Sequence, residues 1–361
     1  MKIILKNLIL MLFCCLIAGF GMAQDNLNRV DKNGKKQGPW KKYEKGVLVY
    51  EGQFVNDVPQ GTFKYYYPNG KLKSVSEFVT GVSRVNVTTY HENGNVASKG
   101  TFINQQKDGQ WQYFSEKNVL LSEENYKLGK KNGKFVTYSV DGNKLKEEQY
   151  ADDQLNGECK SYYEKEEIFT VSHYINGKLN GEWVTYYPGT IISQKGVYYN
   201  GLRTGAWDTY DSQGQIRVTE EFDKEGRLMK KYLYLYFNGQ SQKIKQNLIA
   251  YFQKKGESKT TAILRNGNKI ESTESLSTIA QWLDKLEFVP VTPKLYAQMS
   301  CIRGYKNIDE KTIKVVLKPA LDYEVIAQDE DAALIRLLFA TGEPRDHLSY
   351  QYNGFHLSCD R

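Results

Sequence analysis

The chain is poor in the residues that build most catalytic and metal centres. Its 361 residues include five cysteines and four histidines, and these follow none of the familiar zinc spacings. It also lacks a glycine-rich phosphate loop, a Gly-x-Ser-x-Gly elbow and a His-Glu-x-x-His pair. We therefore expect no catalytic residue, no metal site and no cofactor. After residue 20 no apolar run is long enough to cross a bilayer as a helix.

An aromatic residue returns every 24 positions, without an insertion, over eight cycles. Such a strict period is the signature of a stacked repeat array. These ladder aromatics are Phe54, Phe78, Phe102, Tyr126, Tyr150, Tyr174, Tyr198 and Phe222.

A second motif runs in phase with the ladder and has the form Gly-x-aromatic-x-x-Tyr/Phe. Two cycles depart from it, because Val85, Val87 and Tyr90 fill the three places in one and Cys159 replaces the aromatic in another. The regular cycles are Gly38-Trp40-Tyr43, Gly61-Phe63-Tyr66, Gly109-Trp111-Phe114, Gly133-Phe135-Tyr138, Gly181-Trp183-Tyr186 and Gly205-Trp207-Tyr210. The central residue of each is called the motif aromatic below.

Turn signals separate the two patterns in each cycle. Asn-Gly pairs such as Asn69-Gly70 and Asn176-Gly177 supply the positive φ angles of tight hairpin turns. Each cycle is thus predicted to be two antiparallel strands, and the fold class mainly β. We expect an elongated array of about eight 24-residue hairpins in a single twisted sheet, followed by a small α+β domain. At about 4.8 Å between strands, sixteen strands would extend for roughly 75 Å.

The pattern resembles the MORN repeat family, in its bacterial YwqK-like variant, over about residues 35–228. The segment from Asn176 to Tyr187, Asn-Gly-Lys-Leu-Asn-Gly-Glu-Trp-Val-Thr-Tyr-Tyr, is the best match. The resemblance implies a non-enzymatic structural or interaction module, with membrane or lipid contact in some members. The YwqK-like label also implies an antitoxin-like inhibitor role. No catalytic residue is carried over from the family.

The first 23 residues have the pattern of a secretory signal peptide. Lys2 and Lys6 precede an apolar run, and Ala23 ends a short stretch of small residues suited to cleavage. We therefore expect export to a periplasm, the outer-membrane periphery or the extracellular space, with an uncleaved or lipid-linked anchor as the alternative. Since export favours oxidation, Cys301 and Cys359 form a candidate disulfide. Cys159 is expected to be a small buried side chain.

Charge is distributed unevenly along the chain. Residues 24–226 hold 27 basic and 27 acidic side chains, whereas residues 227–269 hold ten basic side chains and one acid, Glu257. One interpretation is a core hairpin, with tyrosines on one face of residues 231–237 and leucines on the other, flanked by solvated lysines. The alternative is a patch for an anionic partner. Its candidate residues are Lys230, Lys231, Lys243, Lys245, Lys254 and Lys255.

The 24-residue period stops near Gly226, so we predict a repeat array over 24–226 and a C-terminal domain over 227–361. In that domain, residues 244–252, 260–264, 312–317 and 323–327 have strand patterns. Residues 276–286 have helical spacing. A second helix is expected over 332–340, preceded by the acidic residues Asp329, Glu330 and Asp331, which suit the positive end of a helix dipole.

The interpretation of function is an exported, non-enzymatic scaffold for a protein partner in the cell envelope. The alternatives are a carbohydrate or cell-wall binding module, contact with lipid headgroups, and the antitoxin-like inhibitor; nucleic acid is not expected as a partner. The candidate binding face consists of tyrosines outside the two aromatic patterns: Tyr65, Tyr67, Tyr113, Tyr163, Tyr187 and Tyr199.

If the repeats are stable only as a stack, damage to one of them should spread. We expect Gly133→Val or Gly181→Val to unfold the array as a unit, since each hairpin depends on its neighbours for burial. Thermal denaturation followed by circular dichroism measures this. Separate melting of the undamaged repeats would contradict the stacked arrangement.

Overall fold

The computed structural model describes residues 27–79, 81 and 83–340. The predicted signal peptide (1–23) and Cys359, with the disulfide that would include it, lie outside the described residues. The described chain is mainly β-structure, as the sequence predicts. Its strands are β1 Arg29–Val30, β2 Lys36–Glu44, β3 Val47–Val55, β4 Val58–Tyr66, β5 Leu72–Phe78, β6 Arg84–Tyr90, β7 Val96–Ile103, β8 Gln106–Phe114, β9 Leu120–Lys127, β10 Lys130–Lys131, β11 Gly133–Tyr138, β12 Lys144–Ala151, β13 Gln154–Leu155, β14 Gly157–Tyr162, β15 Ile168–Ile175, β16 Lys178–Tyr186, β17 Ile192–Tyr199, β18 Leu202–Tyr210, β19 Ile216–Phe222, β20 Leu228–Phe237, β21 Gln240–Lys245, β22 Ile249–Lys254, β23 Thr260–Leu264, β24 Lys269–Ser272, β25 Phe288–Thr292, β26 Leu295–Gln298, β27 Ile302–Asn307, β28 Thr312–Leu317 and β29 Val325–Gln328.

Among the described residues, two α-helices, α1 (Leu276–Ala280) and α2 (Asp329–Ala340), and short 3-10 turns at Glu164–Glu166, Gln246–Leu248 and Met299–Cys301 accompany the strands. Strands β1 to β21 belong to one 21-stranded antiparallel sheet, and β22–β26 and β27–β29 form sheets of five and three strands. The predicted hairpin array is thus confirmed. The described residues form two compact units: unit 1 runs to Ile192 and includes Tyr198–Gly201, and unit 2 comprises Ser193–Val197 and the described residues from Leu202 on.

The Gly-x-aromatic motif fixes the shape of each hairpin. Its glycines have positive φ angles, for example +66° at Gly61 and +109° at Gly181, a conformation that a side chain disfavours. Its last aromatic lies where the register shifts, as between Tyr65 and Tyr66 or Thr137 and Tyr138. The motif therefore contains both the positive-φ glycine and the register shift of each repeat, which explains its regular spacing.

In unit 1 two motif aromatics, Phe63 and Trp111, lie directly on glycines of the neighbouring strand. A Cβ atom built on Gly52 would stand 2.5 Å from the Phe63 ring, and one on Gly100 would stand 2.2 Å from the Trp111 ring. Phe63 is 1% exposed and Trp111 is 4% exposed. The ring is therefore buried against glycine backbone. In unit 2 the same contact joins Trp207 and Gly196, with a Cβ distance of 2.2 Å.

The ladder aromatics fill the gaps between motif rings with edge-to-face contacts. Phe63 meets Phe54 at 5.1 Å and Phe78 at 5.2 Å, with interplanar angles of 88° and 69°. Phe135 likewise meets Tyr126 at 5.5 Å and Tyr150 at 4.8 Å. Such pairs contribute about 0.5–1.5 kcal/mol beyond the area they bury. Each of these motif rings thus links two ladder rings.

Unit 2 has a different core, built from aliphatic clusters. Leu233 and Leu235 of β20 are each 1% exposed and pack with Ile279 of α1, so the predicted division between a leucine face and a tyrosine face of this strand is confirmed. A second cluster includes Cys301 and Ile335 of α2. Helix α2 begins at Asp329, with three acids in its first turn. The helical spacing over residues 276–286 predicts a longer helix than the structure has, since α1 ends at Ala280.

The hairpin β20–β21 follows the predicted domain boundary at 226/227. Strand β20 pairs with β19, with Val218 opposite Leu233, and this hairpin is part of the large sheet. The division of the chain into domains at 226/227 stays a prediction.

Arg217 is a buried charge in unit 2. It is 1% exposed, and its Nη2 lies 2.6 Å from a carboxylate oxygen of Glu274. Asp211 is within 3.7 Å, and the guanidinium stands over the rings of Tyr236 and Trp282 at 5.1 and 5.7 Å. Removing one partner of a buried pair leaves an uncompensated charge. Arg217 therefore fixes how β19 meets the segment before α1.

The ring-on-glycine contact predicts a specific sensitivity to one methyl group. We expect Gly100→Ala to lower the free energy of unfolding by about 1–3 kcal/mol, because its Cβ would enter the Trp111 ring. Gly256→Ala is the matched control, since a Cβ there has open space. Urea denaturation measures both variants, and equal effects would contradict the packing argument.

Candidate interaction surfaces

A cation covers several of the motif rings. In unit 1, Nζ of Lys107 stands 4.9 Å from the Trp111 ring centre and 4.7 Å from that of Tyr126. Lys131 stands 5.0 Å from Phe135 and 4.7 Å from Tyr150. Each of these lysines lies four residues before its motif aromatic, and Lys36 and, in unit 2, Arg203 repeat the arrangement. The other four cycles have Pro59, Ser83, Leu155 and Leu179 at this position. The chain itself therefore occupies the open side of these rings through cation–π contacts.

The third cycle lacks both the ring and the cation. Ser83 stands where the lysine would be, and Val87 stands where the motif aromatic would be. Across the strands Val87 pairs with Ser76 and with Gly100, so three small residues follow one another in the row. An open cavity of about 1060 Å³ lies here, between β4 and β7.

The other face of the unit 1 sheet carries tyrosine–glutamate hydrogen bonds. The Tyr66 hydroxyl donates to a Glu51 carboxylate oxygen at 2.6 Å, and Tyr138 donates to Glu123 at 3.2 Å. Each glutamate lies 15 residues before its tyrosine. Where lysine takes that position, as Lys99 does before Phe114, it stands over the ring at 5.6 Å. The last aromatic of the motif is therefore matched to the residue 15 positions earlier.

These contacts shift the ionisation of their members. The hydrogen bond from Tyr66 is the largest cause that lowers the pKa of Glu51. Burial, followed by the neighbouring Glu51 carboxylate, raises the pKa of Tyr66 to about 12. Near neutral pH the pair therefore exists as a phenol donating to a carboxylate, which is a strong charge-assisted hydrogen bond.

Exposed apolar side chains recur at one end of the unit 1 hairpins. They stand one residue after a ladder aromatic, where the chain turns, and this set is called the turn edge below. Its members are Val55 (51% exposed), Val79 (42%), Ile175 (52%) and Tyr199 (64%). Because they share a position in the 24-residue period, they lie at equivalent places in their repeats.

The six tyrosines expected to form an exposed face are not equally exposed. Tyr199 is exposed and lies on the turn edge, whereas the other five are half buried. Tyr65 and Tyr113 follow Phe63 and Trp111 by two residues and contact those rings at 6.4 and 6.2 Å.

Two of the remaining hydroxyls are used inside the sheet, since Tyr67 donates to the Tyr90 carbonyl at 2.7 Å and Tyr163 to the Tyr186 carbonyl at 2.8 Å. Tyr187 is half buried. The prediction that the six tyrosines share an exposed face is therefore corrected: of the six, only Tyr199 is exposed. The pleat directs Tyr65 and Tyr113 to the packed side of the sheet. A role of the six in binding stays a prediction.

The six candidate lysines do not lie on one surface. Lys230 pairs with Glu221 at 3.4 Å, and Lys231 contacts Glu220 and Asp284 at 3.3 and 3.4 Å. Adjacent residues of a strand point to opposite faces, so Lys230 and Lys231 are separated by the sheet.

The other four lysines lie on two sheets. Lys243 stands 4.2 Å from the Tyr232 ring, and half-buried Lys245 pairs with Tyr232 in the register. Lys254 and Lys255 are exposed at the end of β22. An anionic partner at these residues stays a prediction, but two of the six charges already have carboxylate neighbours.

The two cysteines within the described residues, 27–79, 81 and 83–340, are both buried. Cys159 is 7% exposed, which confirms its prediction as a buried side chain, and burial raises the pKa of its thiol. Cys301 is buried with a free thiol. In that part of the chain no cluster of three His, Cys, Asp or Glu residues could hold a metal ion, and no helix is long and apolar enough to span a membrane.

The glycine contacts, the covering cations and the 15-residue pairs were missed by the sequence reasoning. Each carried a signal, because Gly52, Gly100 and Gly196 all precede their motif aromatic by 11 residues. The lysine precedes it by four, and the glutamate precedes its tyrosine by 15. These offsets become visible once the sequence is aligned by its 24-residue period.

The Tyr66–Glu51 pair predicts a pH-dependent contribution to stability. A depressed carboxyl pKa gives stability that is present above the unfolded pKa, near the ordinary glutamate value of 4.5, and is lost as pH falls through the folded pKa. We expect Tyr66→Phe to cost about 1 kcal/mol at pH 7 and less as Glu51 becomes protonated. Urea denaturation at several pH values measures the difference. Tyr186→Phe is the control, since Val171 occupies the matching position, and a pH-independent cost in Tyr66→Phe would refute the pairing.

Comparison with known proteins places the repeats in a family. The model of the MORN repeat variant family matches residues 59–79, 86–104 and 107–128, and no curated protein matches the chain. A solved LytTr DNA-binding domain of a methyl-accepting/DNA response regulator from Bacillus cereus is 14% identical, covering 30% of this chain and 95% of its own, with a TM-score of 0.25. The TcdB2-TccC3-TEV crystal structure is 10% identical over 78% of this chain and 16% of its own, with a TM-score of 0.18. The chain therefore carries repeats of the MORN variant family, matched within residues 59–128.

Proposed function

We propose that this protein is an exported, non-enzymatic repeat scaffold whose array binds a protein partner in the cell envelope. The repeats of the MORN variant support the scaffold. The pattern of residues 1–23 supports export. The feature of the array that supports a protein partner is the turn edge.

The turn edge supports a protein partner because it exposes apolar surface at a regular spacing. Isolated exposed apolar residues are ordinary on protein surfaces, but Val55 and Val79 are in register in successive hairpins, as are Ile175 and Tyr199. Each is between 42% and 64% exposed. Contiguous exposed apolar surface is typical of interaction sites. A partner that spans several repeats would cover these side chains together.

A carbohydrate or wall-binding module is the less favoured candidate. Sugar binding through ring stacking needs an accessible aromatic face, yet Phe63, Trp111 and Trp207 are between 0% and 4% exposed. Cations cover Trp111 and Trp207 at 4.9 and 4.3 Å. The most regular rings of the chain are therefore used in packing.

Crosslinking and capture from the native cell envelope with the full-length tagged protein tests the proposal. We expect one dominant protein partner, and a loss of at least tenfold in its recovery by the double variant Ile175→Ser/Tyr199→Ser, because both side chains lie on the turn edge. Val140→Ser/Leu145→Ser is the matched control, since these residues are 73% and 40% exposed and flank the turn at Asp141-Gly142.

The single variants Ile175→Ser and Tyr199→Ser should each keep most of the binding, as an extended contact implies. Recovery of the partner unchanged by the double variant would contradict the turn edge as the binding surface. Capture of wall polymer alone would contradict a protein partner.

A further inference from the structure

The cavity in the third cycle lies where the repeat pattern lacks its motif aromatic. In the preceding cycle Phe63 stands between the ladder rings Phe54 and Phe78, and it meets both edge to face at 5.1 and 5.2 Å. In the third cycle the corresponding ladder rings are Phe78 and Phe102, and Val87 takes the place of the ring between them. A ring entering here would therefore find the same pair of neighbours that Phe63 has.

The two flanking rings each have a ring partner on the far side from the cavity. Phe78 contacts Phe63, and Phe102 contacts Trp111 at 4.8 Å with an interplanar angle of 72°. On the near side they are separated by Val85, which pairs with both in the register. Both phenyl rings also line the cavity. The two rings therefore border the cavity on either side of Val85.

The second departure from the pattern opens the mouth of the cavity. In the two following cycles of unit 1, Lys107 and Lys131 lie across the rings at 4.7–5.0 Å, whereas Pro59 holds the equivalent position in the preceding cycle. Ser83 replaces that lysine here and lines the cavity. Val58 and Val79 at the turn end line it too, and these two side chains are 54% and 42% exposed. The cavity is therefore entered beside the turn edge.

The lining favours an aromatic occupant over a cationic one. Among the described lining residues Arg84 carries the only charge, and the others are apolar or neutral polar, including Ser76, Phe78 and Phe102. Arg84 would repel a lysine or arginine but can stack on a π face. An engineered apolar cavity of roughly 150 Å³ is enough to hold benzene. The volume of about 1060 Å³ therefore admits an aromatic side chain carried by another backbone.

We propose that this cavity receives an aromatic side chain of the protein partner, which completes the row of rings between Phe78 and Phe102. The site deepens the proposed scaffold function and rests on it for the source of the side chain. Interfaces commonly depend on a few aromatic anchors seated in pockets. The third cycle, the one of the two departing cycles at which this cavity lies, would thus give the partner its position along the array.

A small-molecule probe tests the cavity without the partner. We expect 5-fluoroindole to bind the full-length protein saturably in ¹⁹F NMR, and Val87→Phe to weaken this binding at least tenfold, because the new ring occupies the site. Thermal denaturation should show Val87→Phe to be at least as stable as the wild type. Asn86→Phe is the matched control, since the adjacent exposed residue points to the opposite face, and it should leave binding unchanged.

Three results of the ¹⁹F NMR experiments would contradict binding of an aromatic ring in this cavity. Equal binding of 5-fluoroindole to wild type and Val87→Phe would overturn the proposal, as would absence of saturable binding to the wild type and to the enlarged variant Val87→Ala. Displacement of the probe by N-acetylglucosamine oligomers at comparable concentration would assign the cavity to a sugar and overturn it as well.

A peptide selection then tests the partner's chemistry. Random peptides displayed on phage are selected on the wild type, with counter-selection on Val87→Phe, and enrichment of sequences containing tryptophan, phenylalanine or tyrosine is expected. Enrichment without aromatic residues would overturn the proposal. The envelope capture separates the cavity proposal from the scaffold proposal. If the partner is retained by Val87→Phe but lost by Ile175→Ser/Tyr199→Ser, the scaffold proposal is supported and the aromatic anchor is contradicted.

Discussion

The contact on which the unit 1 array depends is that of a large ring lying on a small residue of the adjacent strand. A hairpin alone buries too little to be stable, and unit 1 contributes few of the buried hydrophobic residues among those described. Trp111 on Gly100 and Phe63 on Gly52 overcome this, because the ring covers backbone that would otherwise meet water. The ladder rings then join one such contact to the next, so that stability passes along the chain by nearest neighbours.

The same arrangement explains why departures from the repeat are informative. Where ring and cation are both present, as at Trp111 and Lys107, the packed side is closed by the chain's own atoms. Where Val87 and Ser83 replace them, both the ring and the cation are absent and an open cavity lies in their position. A regular array offers equivalent surfaces at every repeat, and recognition at a defined position requires one unequal repeat. Two cycles differ in this way, those of Val87 and Cys159, and the cavity lies at the first of them, within the segment that the MORN variant model matches.

The sequence predicted the hairpins well because their determinants are local. The 24-residue period, the Asn-Gly turns and the burial of Cys159 all follow from short-range pattern. The contact between Trp111 and Gly100 was not predicted, because the two residues are 11 positions apart and their contact depends on a strand register that a β-bulge shifts. Exposure was also harder to predict: Tyr65 follows Phe63 by two residues and so shares its packed face. Lys230 and Lys231 look like one basic patch in sequence, yet the pleat places them on opposite faces.

A double-mutant cycle between Gly100 and Trp111 tests most directly that ring-on-glycine packing stabilises the array. The free energy of unfolding would be measured for the wild type, Gly100→Ala, Trp111→Leu and the double variant. The account predicts strong coupling, at least about 1 kcal/mol, because the added methyl group has no ring to meet once Trp111 is leucine. Additive costs would contradict it and show that Gly100 is required for its backbone alone.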